Sequence, residues 1–185
     1  MAVRPPKLFP FRRWLPRAAV AVIHRQGDQG TELFLIQRAH KPGDPWSGDM
    51  AFPGGRQQPE DPDSRATAIR ETWEETGLDL HRQGIQLQRL SDVMARTHRM
   101  NKPMIISPWL FEWYGEAHLH FSHEVADALW IPLRFFTNPE HRGSIPWTRK
   151  GVTLNMPCYY YDEKPVWGLT LQMIEDVIAR DVLQP

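Results

Sequence analysis

Arg70, Glu71, Glu74 and Glu75, in the run RETWEETG, form the densest concentration of reactive side chains in this sequence. At about 100° per residue on a helix they fall within an arc of roughly 140°. Carboxylates so placed repel one another, costing the helix a few tenths of a kcal/mol per like-charged pair. A hard divalent cation relieves that repulsion, because Mg²⁺ takes oxygen ligands in octahedral geometry and retains several waters. Arg70, one turn before Glu74, is placed to hold a carboxylate by a bidentate contact. A solvated acidic face would account for the glutamates alone, but the residues upstream argue against it. Phe52-Pro53-Gly54-Gly55 lies one polar loop before the helix. Paired glycines let the backbone approach a ligand closely, and a free carbonyl at Gly54 is available to complete a metal shell.

The elements that must position these groups are legible from periodicity. Ala18 to His24 and Glu32 to Arg38 are apolar and β-leaning, and the turn-rich RQGDQGT between them predicts a hairpin. His40 to Asp49, dense in Gly and Pro, predicts a loop, followed by a short strand MAF and a second polar loop RQQPEDPD. Helix begins at Asp63 or Ser64, either able to cap it, and ends at Gly77, which suits a left-handed cap. Ala66, Ile69, Trp73 and Thr76 share one side at helical spacing and are expected to face the core. Further strands are expected at Ile85 to Ala95, Met104 to Trp113, Ala128 to Ile131 and Cys158 to Tyr161, with an amphipathic closing helix from Trp167. Strands interleaved with two substantial helices predict an α/β fold, a mixed central sheet with helices on both faces.

Composition narrows the function classes. The chain has 185 residues, enough for one domain with a sizeable core, so residues 1–185 are expected to form a single unit. Lys plus Arg and Asp plus Glu each total 22, so no global field draws the chain to nucleic acid or to an anionic membrane. The single cysteine, Cys158, excludes an internal disulfide and fits a reducing, cytoplasmic setting. No apolar run approaches the roughly 18 residues of a membrane span. Residues 1–16 carry Arg4, Lys7, Arg12 and Arg13 with no acid, and the prolines there break any helix. A solvated arm, or a strand covering a sheet edge, is the expectation.

Other residues have weaker claims. Trp46, Trp109, Trp113 and the Tyr159-Tyr160-Tyr161 run could stack a nucleobase, although core or alternating-face roles explain them as well. His98 and the stretch HLHFSH (His118, His120, His123) lack a spacing that marks a transition-metal site. Cys158 reads as a buried thiol.

PGGRQQPEDPDSRATAIRETWEETGL resembles the Nudix box, residues 55–78, with matches at Gly55, Arg70, Glu71, Glu74, Glu75, Gly77 and Leu78. Thr72 stands where the family carries an apolar residue. The loop is one residue longer than the general pattern, leaving Asp61 as the nearest substitute for the family's early acid. The stretch from Ser47 to Gly55, the segment His123-Glu124-Val125 with Leu129-Trp130-Ile131-Pro132-Leu133, and Val166-Trp167-Gly168-Leu169-Thr170 are similar to the coenzyme A pyrophosphatase-like branch.

The resemblance implies a Nudix-type α/β/α sandwich and a metal-dependent hydrolase that cleaves the diphosphate of a nucleoside diphosphate linked to another group. Coenzyme A or a derivative would be the substrate, and Mg²⁺ or Mn²⁺ the cofactor. Glu71, Glu75 and Glu74 with the Gly54 carbonyl would be the metal ligands, Arg70 would orient the glutamates, and Glu124 is the candidate base outside the box. Arg38 matches a branch arginine, but Ala39 replaces the usual serine and Asp44 would oppose a phosphate; Lys41 and the Gly54-Gly55 turn complete the substrate side. ADP-ribose, dinucleotides or nucleoside triphosphates are the alternative substrates. A nucleotide-sensing module without catalysis is the alternative of another class, and a homodimer is compatible with the chain.

Overall fold

The computed structural model describes residues 5–28, 30–44, 46–96, 103–149, 151–181 and 183. His98 lies outside them. In chain order the first half carries β1 (Arg17–Gly27), β2 (Gly30–Arg38), β3 (Met50–Ala51), β4 (Gly54–Arg56), α1 (Ser64–Thr76) and α2 (Leu80–Gln83). Then follow β5 (Gly84–Arg89), β6 (Val93–Arg96), β7 (Pro103–Trp113), β8 (Val125–Pro132) and α3 (Leu133–Thr137). The chain closes with β9 (Arg142–Arg149), β10 (Val152–Tyr161), β11 (Lys164–Trp167) and α4 (Gly168–Arg180).

β1 and β2 form the expected hairpin, paired from Ile23↔Phe34 to Gly27↔Gly30. Toward their other ends they part. β4 pairs with β1 at Ala18 to Val20, and β3 pairs with β2 at Ile36 and Gln37. The chain from Met50 to Arg56 is therefore a wedge in a forked sheet, pinned where the Ala21 amide donates to the Pro53 carbonyl at 2.9 Å. β7 runs parallel to β1, β5 and β6 run antiparallel to β7, and β8 runs antiparallel to β2. The sheet is mixed, as expected from the sequence.

Alternation along β1 divides the core in two. Ala18, Val20 and Val22 face a cluster completed by Leu171, Ile174 and Val177 of α4, with Leu133 and Phe136. Ala19, Ala21 and Ile23 face a cluster with Ala68 and Ile69 of α1 and Leu78 and Leu80 beyond it. Helices thus cover both faces.

Four expectations change. The buried side of α1 is Ser64, Thr67, Ala68, Ile69, Thr72, Glu75 and Thr76, whereas Trp73 is 56% exposed. Small threonines let the helix lie close to the sheet, and their hydroxyls are satisfied within it: Thr72 donates to the Ala68 carbonyl and Thr76 to the Thr72 carbonyl, both at 2.7 Å. Thr72 at an apolar position of the box is accounted for in this way. The expected strand from Ile85 to Ala95 breaks at Leu90 to Asp92 into β5 and β6. Cys158 to Tyr161 is the end of a longer strand, and β9, β10 and β11 form a second antiparallel sheet that the sequence reading missed. Finally, the arm is docked: the Phe9 amide donates to Asp92 at 3.1 Å, and the Asp92 amide donates to the Lys7 carbonyl at 2.9 Å.

Candidate active site

Asp63 caps α1 by accepting from the Ala66 amide at 2.8 Å, and Gly77 ends it at φ 76°, as the sequence anticipates. Between these ends the acidic residues divide by environment. Arg70 is the organiser. Its Nε and Nη2 grip both carboxylate oxygens of Asp61 at 2.9 Å, and it reaches Glu71 and Glu74 at 2.9 Å each. Asp61 also accepts from the Gln58 amide and the Thr67 hydroxyl, both at 2.9 Å. These hydrogen bonds, the Arg70 fork foremost, hold the Asp61 carboxyl down at about 2. Asp61 fixes the arginine that fixes the glutamates, a role its loop position gave no direct sign of.

Glu75 is the deepest of the set, only 4% exposed. Its carboxylate accepts the Gly54 amide at 2.8 Å across the fork. Burial pushes its pKa up to about 7; Glu71 and Glu124 add repulsion, while the Gly54 hydrogen bond and Arg38 oppose the shift. Burial also raises Glu71, against the pull of Arg70.

The glycines are required by this closeness. A Cβ on Gly55 would stand 2.5 Å from the Glu71 carboxyl, and one on Gly54, at φ 152°, 2.2 Å from the Ala19 carbonyl. Among the described residues no three His, Cys, Asp or Glu side chains converge closely enough to hold a metal ion as they stand. Glu71, Glu74 and Glu75 lie along one side of α1, Glu75 buried and Glu74 half exposed. Carboxylates whose charge is disfavoured chiefly by burial, as at Glu71 and Glu75, would be relieved by an oxygen-seeking cation that keeps much of its water shell.

The remaining candidates lie around this helix with unequal engagement. Glu124 has an exposed side chain near enough to act on the charge of Glu75, and its carbonyl accepts the Ala39 amide at 2.8 Å. The loop before it is laced to the end of α1, with the Ser122 amide donating to the Glu75 main-chain carbonyl and the His120 amide to that of Thr76. Arg38 is held by Asp44 at 2.8 Å. Lys41 is exposed. Of the aromatics, Trp109 is half-buried with its indole donating to Ser64 at 3.1 Å, and Trp113 is buried. Tyr159 and Tyr161 pack against Phe135, which assigns both to the body of the protein. The Trp167 segment is also structural here: its indole donates to Asp49 at 3.0 Å and Thr170 donates to the Met50 carbonyl at 2.9 Å, anchoring the strand that enters the fork.

A forked mixed sheet between helical layers thus presents a carboxylate-rich helix face to a Gly-Gly turn, the arrangement of one class of α/β domains. The chain belongs to the NUDIX family, whose domain model matches residues 15–148.

Similar proteins include the peroxisomal coenzyme A diphosphatase NUDT7 of Mus musculus, 28% identical over 63% of this chain and 47% of that protein. An uncharacterized protein of Schizosaccharomyces pombe is 34% identical over 58% of this chain and 34% of its own length. The Nudix hydrolase NudL of Yersinia pestis is 27% identical over 69% and 62%. The chain thus spans between about a third and three fifths of these relatives' lengths. Among solved structures, the NUDIX domain of Shewanella oneidensis NrtR, complexed with ADP ribose, superposes with a TM-score of 0.60 over 91% of this chain and 89% of that one at 19% identity. A C. elegans Ap4A hydrolase superposes with a TM-score of 0.56 over 65% and 82% at 24% identity. These likenesses show the fold. No helix among the described residues is long and apolar enough to cross a membrane.

Proposed function

We propose that this chain is a metal-dependent diphosphatase, with residues 1–185 acting as one domain and coenzyme A or a derivative as its substrate. The observation that carries the chemistry is Glu75, a buried carboxylate seated 2.8 Å from the Gly54 amide and crowded by other acids. Glu71 and Glu75 would hold Mg²⁺ or Mn²⁺, with Glu74 engaged through water and the Gly54 carbonyl as a supplement. Bound there, the ion would supply charge neutralisation for the diphosphate and a lowered pKa for its water. Arg70 keeps Glu71 and Glu74 aimed, and the bare backbone at Gly54-Gly55 lets Glu71 and β1 close in on the turn. Glu124, on the loop laced to α1, is the proton acceptor in this reading. Arg38 and Lys41 meet the outer part of the substrate.

The Arg38–Asp44 ion pair supports a second reading. An arginine already matched by an aspartate is less suited to an extra phosphate, which favours substrates without one, such as ADP-ribose or a dinucleotide. The similarity to NUDT7 supports the first reading. Mass-spectrometric product analysis with coenzyme A and ADP-ribose in parallel, each with Mg²⁺, decides between them. Formation of 4′-phosphopantetheine and 3′,5′-ADP supports the coenzyme A reading. Cleavage of ADP-ribose alone selects the second. A stoichiometric nucleotide complex that persists unhydrolysed with Mg²⁺ would overturn both in favour of a sensing module.

A further inference from the structure

The docked N-terminal arm presents a surface that the catalytic reading leaves unused. Exposure along it repeats every third residue. Phe9, Arg12 and Leu15 are half-buried, and the Phe9 amide and Arg12 guanidinium reach Asp92 at 3.1 Å and 3.8 Å. Leu8, Phe11 and Trp14 form an outward row, 46%, 65% and 63% exposed. Lys7, Pro10 and Arg13 form a second exposed row beside it. Three residues per turn is the pitch of extended Pro-rich chain and of the 3₁₀ turn at Arg12–Trp14, so each row keeps to one side. The side chains agree. Phe11 stacks on Trp14 with ring centroids 5.7 Å apart, and the Arg13 guanidinium lies 4.4 Å from the centre of the Trp14 ring. The arm is thus an apolar ridge with a cationic flank. Its main chain is pinned as well: the Lys7 amide donates to the Ser91 hydroxyl at 3.2 Å, and the Ile105 amide to the Pro16 carbonyl at 2.9 Å. A ridge fixed in advance loses little entropy on meeting a partner.

We propose that this ridge seats the protein on an anionic phospholipid surface. Leu8, Phe11 and Trp14 enter the boundary between headgroups and acyl chains, and Lys7 and Arg13 meet the lipid phosphates. Three features select lipid. The first is charge. No acid precedes Asp28 in the chain. Asp92 and Asp176, which line the groove beneath the arm, are already matched, Asp92 by Arg12 and Arg89 and Asp176 by Arg180. The second is residue type. Aromatic rings exposed beside cations are the composition of interfacial anchors, whose rings settle at the headgroup level. The third is size. Three apolar side chains fall far short of the ~1,000 Å² at which a specific protein interface begins, whereas a bilayer takes up single side chains without a complementary surface. A nucleic acid would stack its bases on open ring faces, and Trp14 is already engaged by Phe11 and Arg13. The attachment is peripheral and reversible, because it rests on a few cations and a small apolar area.

Cosedimentation of the full chain with mixed phosphatidylglycerol and phosphatidylcholine vesicles, beside vesicles of phosphatidylcholine alone, tests this. The expected result is binding to the anionic vesicles, weakened by added salt. Phe11→Ser with Trp14→Ser should lower the partition coefficient about tenfold or more. Lys7→Glu with Arg13→Glu should lower it to a similar extent. Trp73→Ala, which removes an exposed aromatic ring from α1, should leave it unchanged. Failure to bind anionic vesicles overturns the proposal, as does binding indifferent to Phe11 and Trp14. Tighter binding to a single-stranded oligonucleotide, lost in the same variants, would also overturn it by assigning the ridge to nucleic acid. Because the readout is vesicle-bound mass, the outcome is independent of the catalytic reading.

Discussion

Two charged clusters lie on the α1 side of the sheet, and they are built in opposite proportions. Around Arg70, one guanidinium serves Asp61, Glu71 and Glu74, with Glu75 close behind. Around Asp92, one buried carboxylate is served by Arg89, Arg12, the Ser107 hydroxyl and the Phe9 amide. In the second cluster both oxygens of the acid accept hydrogen bonds and two arginines balance its charge, and the result is an anchor for the N-terminal arm and the bend between β5 and β6. The first cluster has more negative charge than its single arginine can neutralise. A protein that merely needed to hold its loop in place would stop at the Asp61–Arg70 pair. The surplus carboxylates are the part that the proposed function assigns to a ligand.

That contrast can be broken from either side. The largest effect is expected at Glu75→Gln, which removes the surplus at its deepest point. Metal-assisted catalysis is worth several kcal/mol, so kcat should fall about 10³-fold. Thermal unfolding of the substituted protein should show no loss of stability, since the buried group it replaces resists ionisation. Near-normal turnover would remove Glu75 from the site.

Asp92→Ala should do the converse. Leaving Arg89 without its partner in a half-buried setting should cost about 3 kcal/mol or more in chemical denaturation. Turnover per folded molecule should stay at the parent value. If activity fell with stability intact, the two clusters would not be the separate devices described.

The pH dependence of the metal-free protein sharpens the same point. Glu75 is raised by burial to about 7, from an ordinary 4.5. Folding therefore favours its protonated form, a contribution fully present below pH 4.5 and lost as the pH rises through 7. At about 1.36 kcal/mol per unit the loss is about 3 kcal/mol. Melting temperature should fall over that window without metal, and Mg²⁺ should recover more of it at pH 8 than at pH 5. Equal protection at both would mean that Mg²⁺ binds elsewhere. Asp61 behaves oppositely, its contribution being lost only as the pH falls from 3.8 through about 2. The smallest effect is expected at Trp73→Ala, within about 0.5 kcal/mol of the parent, because its ring points into solvent.

These clusters also differ in how far they could be read from sequence. Arg70, Glu71, Glu74 and Glu75 lie within two helical turns, so spacing alone brings them together; the Gly-Gly turn was read as the source of a metal-binding carbonyl, and the bond from the Gly54 amide to Glu75 was not anticipated. The Asp92 cluster draws Phe9, Arg12, Arg89 and Ser107 from separate elements, and nothing local in the chain announces it. Asp61 was noticed but its service to Arg70 was not, because a loop acid has no fixed direction. Trp73 was assigned to the core because it is large, apolar and suitably spaced; threonines that satisfy their own hydroxyls took that place. In the second sheet the alternation Val152, Leu154, Met156 was present, but only Cys158 to Tyr161 was expected as strand. Pro146 sits in the outer strand β9, where a proline is tolerated, but Pro157 lies in the middle strand β10, a placement that local sequence argues against.

The fork between β1 and β2 separates what can change from what cannot. The wedge that carries Gly54 is fixed by hydrogen bonds to Ala21, Glu75 and, through Thr170, the last helix. The segment from Ala39 to Asp49 leaves the tip of β2 and returns to the wedge without threading either core. Its charge can be rewritten as far as Asp44 while Asp49 still holds Trp167 and α1 keeps its seat. New substrate preferences can therefore be grafted here like a changed mouthpiece on an unaltered instrument.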